Sequence, residues 1–298
     1  MHGFLNIHKP AGMTSRTALD FVKRVCWPSK TGHTGTLDPI AEGVLVVCIG
    51  DTTRLADYCQ QMHKRYRATF LLDCFSETLD GEEGFQQLEQ RCLHVSQADI
   101  AQALQEFVGA IQQVPPKYSA AKVKGRRAYK LVRQGQEFEL KARTVTIYEI
   151  EIVHFAYPRL ELDICCGSGT YIRSLGRDLA QRFQTHAVMI ALTRTEVGPF
   201  HLATALDCRS LDLATVQQHL APPATAVDHL PRYRLTDEEI HQFSFGRTVA
   251  VSGNFPELSG LPAGTPIAGL NPQGNLVSLL TYDPQKSTIR PLRNFRFE

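Results

Sequence analysis

A mixed α/β chain of the α+β kind, closed by a small all-β unit, is the fold class the sequence predicts, and three observations predict it. Apolar stretches with the period of strands, such as Leu160, Leu162 and Ile164, are interspersed with stretches of helical apolar spacing over the first three quarters of the chain. The stretch Ala221-Pro222-Pro223-Ala224-Thr225 then reads as a linker, beyond which short apolar strands alternate with Gly and Pro turns. Finally, 298 residues with 43% hydrophobic and 21% charged side chains suffice for one large domain or a large and a small one, and exclude disordered and collagen-like chains. The expected division is 1–226 and 227–298.

Phe4-Leu5-Asn6-Ile7 predicts a short strand ending at Lys9-Pro10, and Thr14-Ser15 a helix cap, with apolar positions at 18, 19, 21, 22 and 25. Gly32-His33-Thr34-Gly35-Thr36-Leu37-Asp38-Pro39 follows, then Ile40 to Gly43 and the apolar run Val44 to Ile49. Glycine permits backbone shapes closed to other residues, and Pro39 biases Asp38 towards an extended geometry. The result is a shaped loop that displays one carboxylate and is fixed to a buried strand, a setting in which catalytic groups are common. An ordinary Asp-Pro turn is the alternative.

Thr52 or Thr53 begins a short helix, and Lys64 to Leu72 reads as a strand with Tyr66 at its basic entrance. Ser76 to Gly84 is acidic and turn-rich, and reads as a solvated loop. Ser96 with Asp99 forms a capping box for a helix bearing Ile100, Leu104, Phe107, Val108 and Ile111, which Pro115-Pro116 stops. Thr144 to Phe155 and Arg159 to Cys166 read as successive strands. The turn Gly167-Ser168-Gly169 leads, with Thr170 as cap, into a helix carrying Ile172, Leu175, Leu179 and Phe183. This is not a dinucleotide site, because the third glycine of that fingerprint is missing, and no Walker sequence occurs. Ser210 to Leu220 reads as the last helix, and strands are expected at 249–251, 267–270, 276–282 and 288–292, with an insertion over Phe255 to Pro262.

Net charge is only +2, but residues 117–143 hold nine Lys or Arg against Glu137 and Glu139, a local +7 that leaves −5 for the rest. Tyr118 and Tyr129 interleave with these cations. Cations neutralise phosphates and rings stack on bases, so the segment points to a polyanion, although a solvated basic helix has the same composition. Eight cysteines are scattered without a C-x-x-C pair, which suits reduced thiols better than disulfides or zinc. No structural metal and no cofactor are expected. Neither a signal peptide nor a run of about 20 apolar residues is present, so a soluble cytoplasmic protein without membrane contact is expected.

The octapeptide Gly32 to Pro39 resembles the signature of the TruB family of tRNA pseudouridine synthases. Three further segments resemble family motifs in the right order: Lys64-Arg65-Tyr66-Arg67, Pro115 to Lys122, and Gly169-Thr170-Tyr171-Ile172-Arg173-Ser174-Leu175. His8 departs from the family's Asp-Lys-Pro, while Lys9 and Pro10 match; Ser76 and Glu77 depart from its Thr-Asp-Thr-x-Asp-x-x-Gly. The resemblance implies a pseudouridine synthase fold with a mixed, largely antiparallel sheet, and, more loosely, a C-terminal PUA-like RNA-binding barrel. It implies Asp38 as the essential carboxylate, Tyr66 stacked on the target base, and Arg173 paired with Asp38, a pairing that would lower its pKa. His33 would wedge into the space left by the flipped base, and Tyr171 and Leu192 would complete the pocket. Lys9 is a support or phosphate-contact candidate. Lys117, Tyr118, Lys122, Lys124, Arg126 and Arg127 would belong to an RNA-clamping insertion near 115–143. The implied substrate is the T-loop uridine at tRNA position 55, with tRNA bound by its T-arm. Gly32-His33, where guided relatives have Glu-Thr, favours a stand-alone enzyme with no guide RNA and no obligate protein partner, expected to be monomeric. An RNA-binding or tRNA-folding protein, and a nucleosidase acting on free nucleosides, are the rival readings.

Overall fold

The computed structural model describes residues 1–89, 95–251 and 260–295. Cys92 and most of the expected insertion at Phe255 to Pro262 lie outside the described residues. Among those described, ten strands form one mixed, largely antiparallel sheet. Its path runs Leu206–Asp207, Gly3–Lys9, Glu42–Ile49, Ala187–Val197, Lys64–Leu72, Arg159–Cys166, Arg143–Ala156, Gly109–Gln113. Thr31–His33 pairs with Glu42–Ile49, and Phe200–His201 with Ala187–Val197. Only two neighbours are parallel: Leu206–Asp207 beside Gly3–Lys9, and Ala187–Val197 beside Glu42–Ile49.

Glu42–Ile49 has no polar face because both of its faces are buried. Val44, Val46 and Cys48 enter one core cluster, and Leu45, Val47 and Ile49 another. The second cluster is covered by the helix Ser15–Cys26, through Ala18, Leu19, Val22 and Cys26. Thr14 caps that helix by accepting a bond from the Thr17 amide. The first cluster is shared with a second sheet of five strands, ordered Arg232–Arg234, Pro266–Leu270, Leu276–Asp283, Thr288–Asn294, Val249–Ala250. Ala268, Leu270, Leu276 and Leu279 from that sheet, with Phe295 just beyond its strand Thr288–Asn294, pack with Phe4, Val44 and Val46. The C-terminal sheet therefore backs the strand that carries the Asp38 loop.

Where Glu42–Ile49 leaves the loop, Gly43 lies against Arg194 of the parallel neighbour. Its φ is +107°, and a Cβ there would sit 2.2 Å from the Arg194 carbonyl oxygen. Gly43→Ala combines a strained φ with a backbone clash and is expected to cost about 2–3 kcal/mol, seen as a lower urea midpoint at unchanged slope.

Several elements differ from expectation. The helix after Ser96 keeps its capping box but spans only Gln97–Leu104, with a 3-10 turn to Phe107. Gly109, at φ +96°, then turns the chain into the strand Gly109–Gln113, so Ile111 is a strand residue and the prolines stop no helix. Thr170 does not cap the helix Ile172–Gln181: its hydroxyl donates to the Gly167 carbonyl instead, and Phe183 lies beyond the helix end. The expected helix Ser210 to Leu220 shortens to Leu213–Gln218, capped by Asp212. It is not the last, because Asp237–Ser244 forms another, with a Thr236–Glu239 capping box legible in the sequence. The short strands Thr31–His33 and Arg232–Arg234 were not anticipated. Cys26, Cys48, Cys59, Cys165, Cys166 and Cys208 are free thiols. No helix among the described residues is long and apolar enough to cross a membrane.

Candidate active site

The Asp38 loop is held from three sides. Ser15, in the first turn of its helix, donates to the Leu37 carbonyl at 3.0 Å and accepts from the Leu37 amide at 2.8 Å. The Pro39 carbonyl accepts from the Gly12 amide at 2.8 Å and from Lys9 Nζ at 3.4 Å. Arg194, 3% exposed, donates from Nη2 to the Gly35 carbonyl at 3.1 Å and from Nε to the Val44 carbonyl at 2.7 Å. These bonds fix the backbone on both sides of Asp38, whose own carbonyl accepts from the Ala41 amide at 3.0 Å.

Arg173 reaches the carboxylate from the helix Ile172–Gln181. Its Nε lies 3.0 Å from Asp38 Oδ2, and its Nη1 3.0 Å from Asp80 Oδ2. Nη1 also donates to the Thr78 carbonyl at 2.7 Å, and Nη2 to the Tyr118 carbonyl at 3.0 Å. The guanidinium thus ties together two carboxylates, the turn around Thr78 and the entrance of the basic segment. Charge-assisted contacts from one planar fork set geometry as well as energy. The helix start has no side-chain cap; Gln113, fully buried, replaces one by accepting from the Tyr171 amide at 2.8 Å and donating to its carbonyl at 3.1 Å.

A cleft of about 430 Å³ opens over this network, lined by Thr34 to Asp38, Lys64, Tyr66, Ser119, Ala120, Gly167 to Arg173, Leu192 and Arg194. The structure therefore brings together Asp38, Tyr66, Tyr171, Arg173 and Leu192. Asp38 is 35% exposed, towards the cleft, while Arg173 is 6% exposed. Loss of water around the carboxyl pushes its pKa up; Arg173 pulls it down, Asp80 pushes it further up, and the net direction is upward. The expected lowering by the arginine is thus outweighed by burial. Burial also raises the Tyr66 phenol, against an opposing hydrogen bond from Arg194, so the phenol is neutral at pH 7.

Other candidates lie elsewhere. Lys9 is fully buried and donates to the carbonyls of Pro10 at 3.0 Å and Met13 at 2.5 Å as well as Pro39. Of its two expected roles this is the support of the loop, not the phosphate contact: the amine is enclosed by carbonyls, with no face left for a phosphate. Burial lowers its pKa to about 8. His33 sits on the strand Thr31–His33, outside the cleft lining, half-buried, with Nδ1 buried and unbonded. Burial, then Arg194 and Arg16, lower its pKa, so it is neutral at pH 7. Lys117 and Tyr118 line a separate hollow of about 650 Å³ with Phe75, Glu77 and Leu140. Lys122, Lys124, Arg126 and Arg127 are exposed on a hairpin, Lys122–Val123 against Arg126–Arg127, turned by Lys124 and Gly125 at φ +48° and +83°.

The acidic loop is the main correction. Asp80 is 3% exposed and paired with Arg173, so the solvated reading fails there; Glu82 and Glu83 remain exposed. Sequence reasoning also gave no role to Arg194, Lys64 or Gln113. Lys64, 7% exposed, donates to the Met62 carbonyl at 2.6 Å and to that of Gln60, and burial lowers its pKa to about 8.

Residues 23–172 match the model of the TruB family pseudouridylate synthase N-terminal domain. The chain is 41% identical over 266 residues to tRNA pseudouridine synthase B of Dehalococcoides mccartyi, covering 88% of this chain and 87% of that one. It is 39% identical over 239 residues to the protein of that name from Clostridium perfringens, at 80% and 81% coverage. Among solved structures, a chain of a Cbf5-Nop10-Gar1 complex superposes with a TM-score of 0.74 at 25% identity, covering 99% of this chain and 84% of that one. A chain of an H/ACA RNP bound to a substrate RNA containing 2′-deoxyuridine shares the fold, with a TM-score of 0.73 at 24% identity, over 99% of this chain and 85% of that one.

Proposed function

The chain belongs to the TruB family of tRNA pseudouridine synthases, which isomerise uridine to pseudouridine, and from that premise we propose that its target is the T-loop uridine at tRNA position 55. It works without guide RNA, with Asp38 as the reacting carboxylate. The observation that carries this reading is the Asp38–Arg173 pair, 3.0 Å apart at a cleft also lined by Tyr66, Tyr171 and Leu192. The basic segment, whose entrance Arg173 holds through the Tyr118 carbonyl, supports a clamp on the T-arm that involves Lys117, Tyr118, Lys122, Lys124, Arg126 and Arg127. The C-terminal five-stranded sheet, on the 227–298 side of the expected boundary, serves as a PUA-like RNA-binding domain.

The reaction breaks N1–C1′, turns the base and forms C5–C1′. N1 gains a proton and the C5 proton is lost, so no redox partner is needed. The base is first flipped out of the loop, at a cost of a few kcal/mol, and His33, neutral and at the loop entrance, fills the gap. Asp38 acts at the sugar, either as nucleophile on C1′ or as base at C2′. Arg173 orients it, Tyr66 stacks on the base, and Tyr171 and Leu192 close the pocket. Both roles of Asp38 require the anion.

The raised Asp38 pKa places the acid limb of kcat/KM above pH 3.8, the ordinary carboxylate value. Asp80 contributes to that rise as a like charge. Asp80→Asn removes the repulsion, favours the anion and is expected to move the limb to lower pH, while turnover falls because Arg173 loses one anchor. A limb that stays or moves up would contradict the assignment.

Incubated alone with a T-arm hairpin transcript, the protein is expected to convert the T-loop uridine and leave the stem uridines unchanged. Conversion that appears only after a second RNA is added would overturn the guide-free part.

A further inference from the structure

A second concentration of positive charge beside an exposed aromatic lies along the helix Ser15–Cys26. Its inner side buries Ala18, Leu19, Val22 and Cys26. Elsewhere on its surface Arg16 and Lys23 lie seven residues apart, on one side of the helix, and Trp27 follows four residues later at the C-cap. With Lys30 they line a shallow hollow of about 420 Å³. Trp27, the only tryptophan of the chain, is 74% exposed. Of these three cations, only Arg16 is ion-paired among the described residues, with Asp20 at 3.2 Å.

The hollow is placed relative to the cleft. Ser15, at the start of the helix, bonds the backbone of Leu37, one residue before Asp38. At about 1.5 Å per residue, the stretch from Arg16 to Trp27 extends about 16 Å from that loop. The strand Thr31–His33 runs back from the hollow towards the loop.

We propose that this hollow is a second RNA contact, which takes part of the same tRNA whose target uridine occupies the Asp38 cleft. Phosphates lie against Lys23 and Lys30, and a base stacks on Trp27. The inference rests on the tRNA reading above. Charge complementarity argues for RNA: outside 117–143 the chain is net negative, yet residues 16–30 carry Arg16, Lys23, Arg24 and Lys30 against Asp20 alone. An indole open to solvent beside Lys23 and Lys30 matches the pairing of aromatic platforms with electrostatic grooves that holds exposed bases. Because the hollow begins at the helix that anchors the Asp38 loop, RNA seated here extends from the cleft instead of competing for it.

Since Trp27 is the sole tryptophan, its fluorescence reports this surface directly. Titration of the full-length protein with unmodified tRNA transcript is expected to change the emission with the Kd seen by filter binding. Lys23→Gln and Lys30→Gln together are expected to weaken binding about tenfold near 0.1 M salt, and to lower the slope of log K against log salt by about two. Trp27→Ala is expected to weaken binding about tenfold. All three side chains are exposed, so folding is expected to survive, and the thermal midpoint checks this. At saturating tRNA, kcat is expected to be unchanged in these variants. Constant emission through a titration in which C5 tritium is still released would overturn the surface and leave the synthase reading intact. So would a charge variant with wild-type affinity and salt slope. Absence of both tRNA binding and turnover would instead overturn the tRNA reading, and this surface with it.

Discussion

Asp38→Asn is expected to lower the single-turnover rate of pseudouridine formation by at least about 10³-fold while leaving the Kd for tRNA within about threefold. The substitution keeps the shape of the side chain, and the loop does not depend on the charge for its position. Ser15, Gly12, Lys9 and Arg194 hold it through backbone groups of Gly35, Leu37, Pro39 and Val44. Arg173 keeps Asp80 and two carbonyls as partners, so its guanidinium is not stranded. What is lost is the anion, and a neutral amide neither attacks C1′ nor removes a C2′ proton. Single-turnover kinetics with filter binding on the same preparation separate the two quantities. Retained turnover would remove Asp38 from the chemistry, and lost affinity would make it a binding residue.

Arg173→Lys is the second large effect, an expected fall in kcat of about 10²-fold together with a loss of about 3 kcal/mol of stability. Three nitrogens of the guanidinium serve four acceptors: Asp38, Asp80, the Thr78 carbonyl and the Tyr118 carbonyl. An ammonium retains the charge but is a single point, so it cannot satisfy acceptors spread around a planar fork. Asp80, 3% exposed, is then left as a buried carboxylate with a poor partner. The Tyr118 carbonyl also loses its donor, which loosens the entrance of the basic segment from the site. Urea denaturation and steady-state kinetics read the two effects. A lysine variant within threefold of wild type in kcat would show that charge alone suffices and that the fork geometry is idle.

The parts of the site legible in the sequence are those whose signal is local. Asp38 stands out because glycines and a proline shape its loop against a continuous apolar run, and that run is continuous because its two faces enter different cores. Lys64–Leu72 and Arg159–Cys166 match their expected bounds because alternation and basic or turn residues mark both ends. The helix after Ser96 was overextended because Val108 and Ile111 continue the helical period by chance, while Gly109 turns the backbone into a strand at positive φ. Asp80 was unreadable as a buried group because its burial depends on Arg173, which arrives from a distant helix; locally it is one acid among several. The two expected roles of Lys9, loop support and phosphate contact, could not be separated for the converse reason. An amine held by three carbonyls looks, in sequence, like any surface lysine beside a proline. The C-terminal helix, by contrast, was available: Thr236 and Glu239 form the same capping pattern that located the helix after Ser96.

The most direct test of the account is release of tritium from a full-length tRNA transcript labelled at uridine C5, with the purified protein alone and no second RNA. The account predicts release of about one tritium equivalent per tRNA by the wild type, at the T-loop position. It predicts none from a transcript in which that uridine is replaced by cytidine. Tight, salt-sensitive binding of the transcript without any release would contradict it, and would leave a tRNA-binding protein whose carboxylate is not a catalyst.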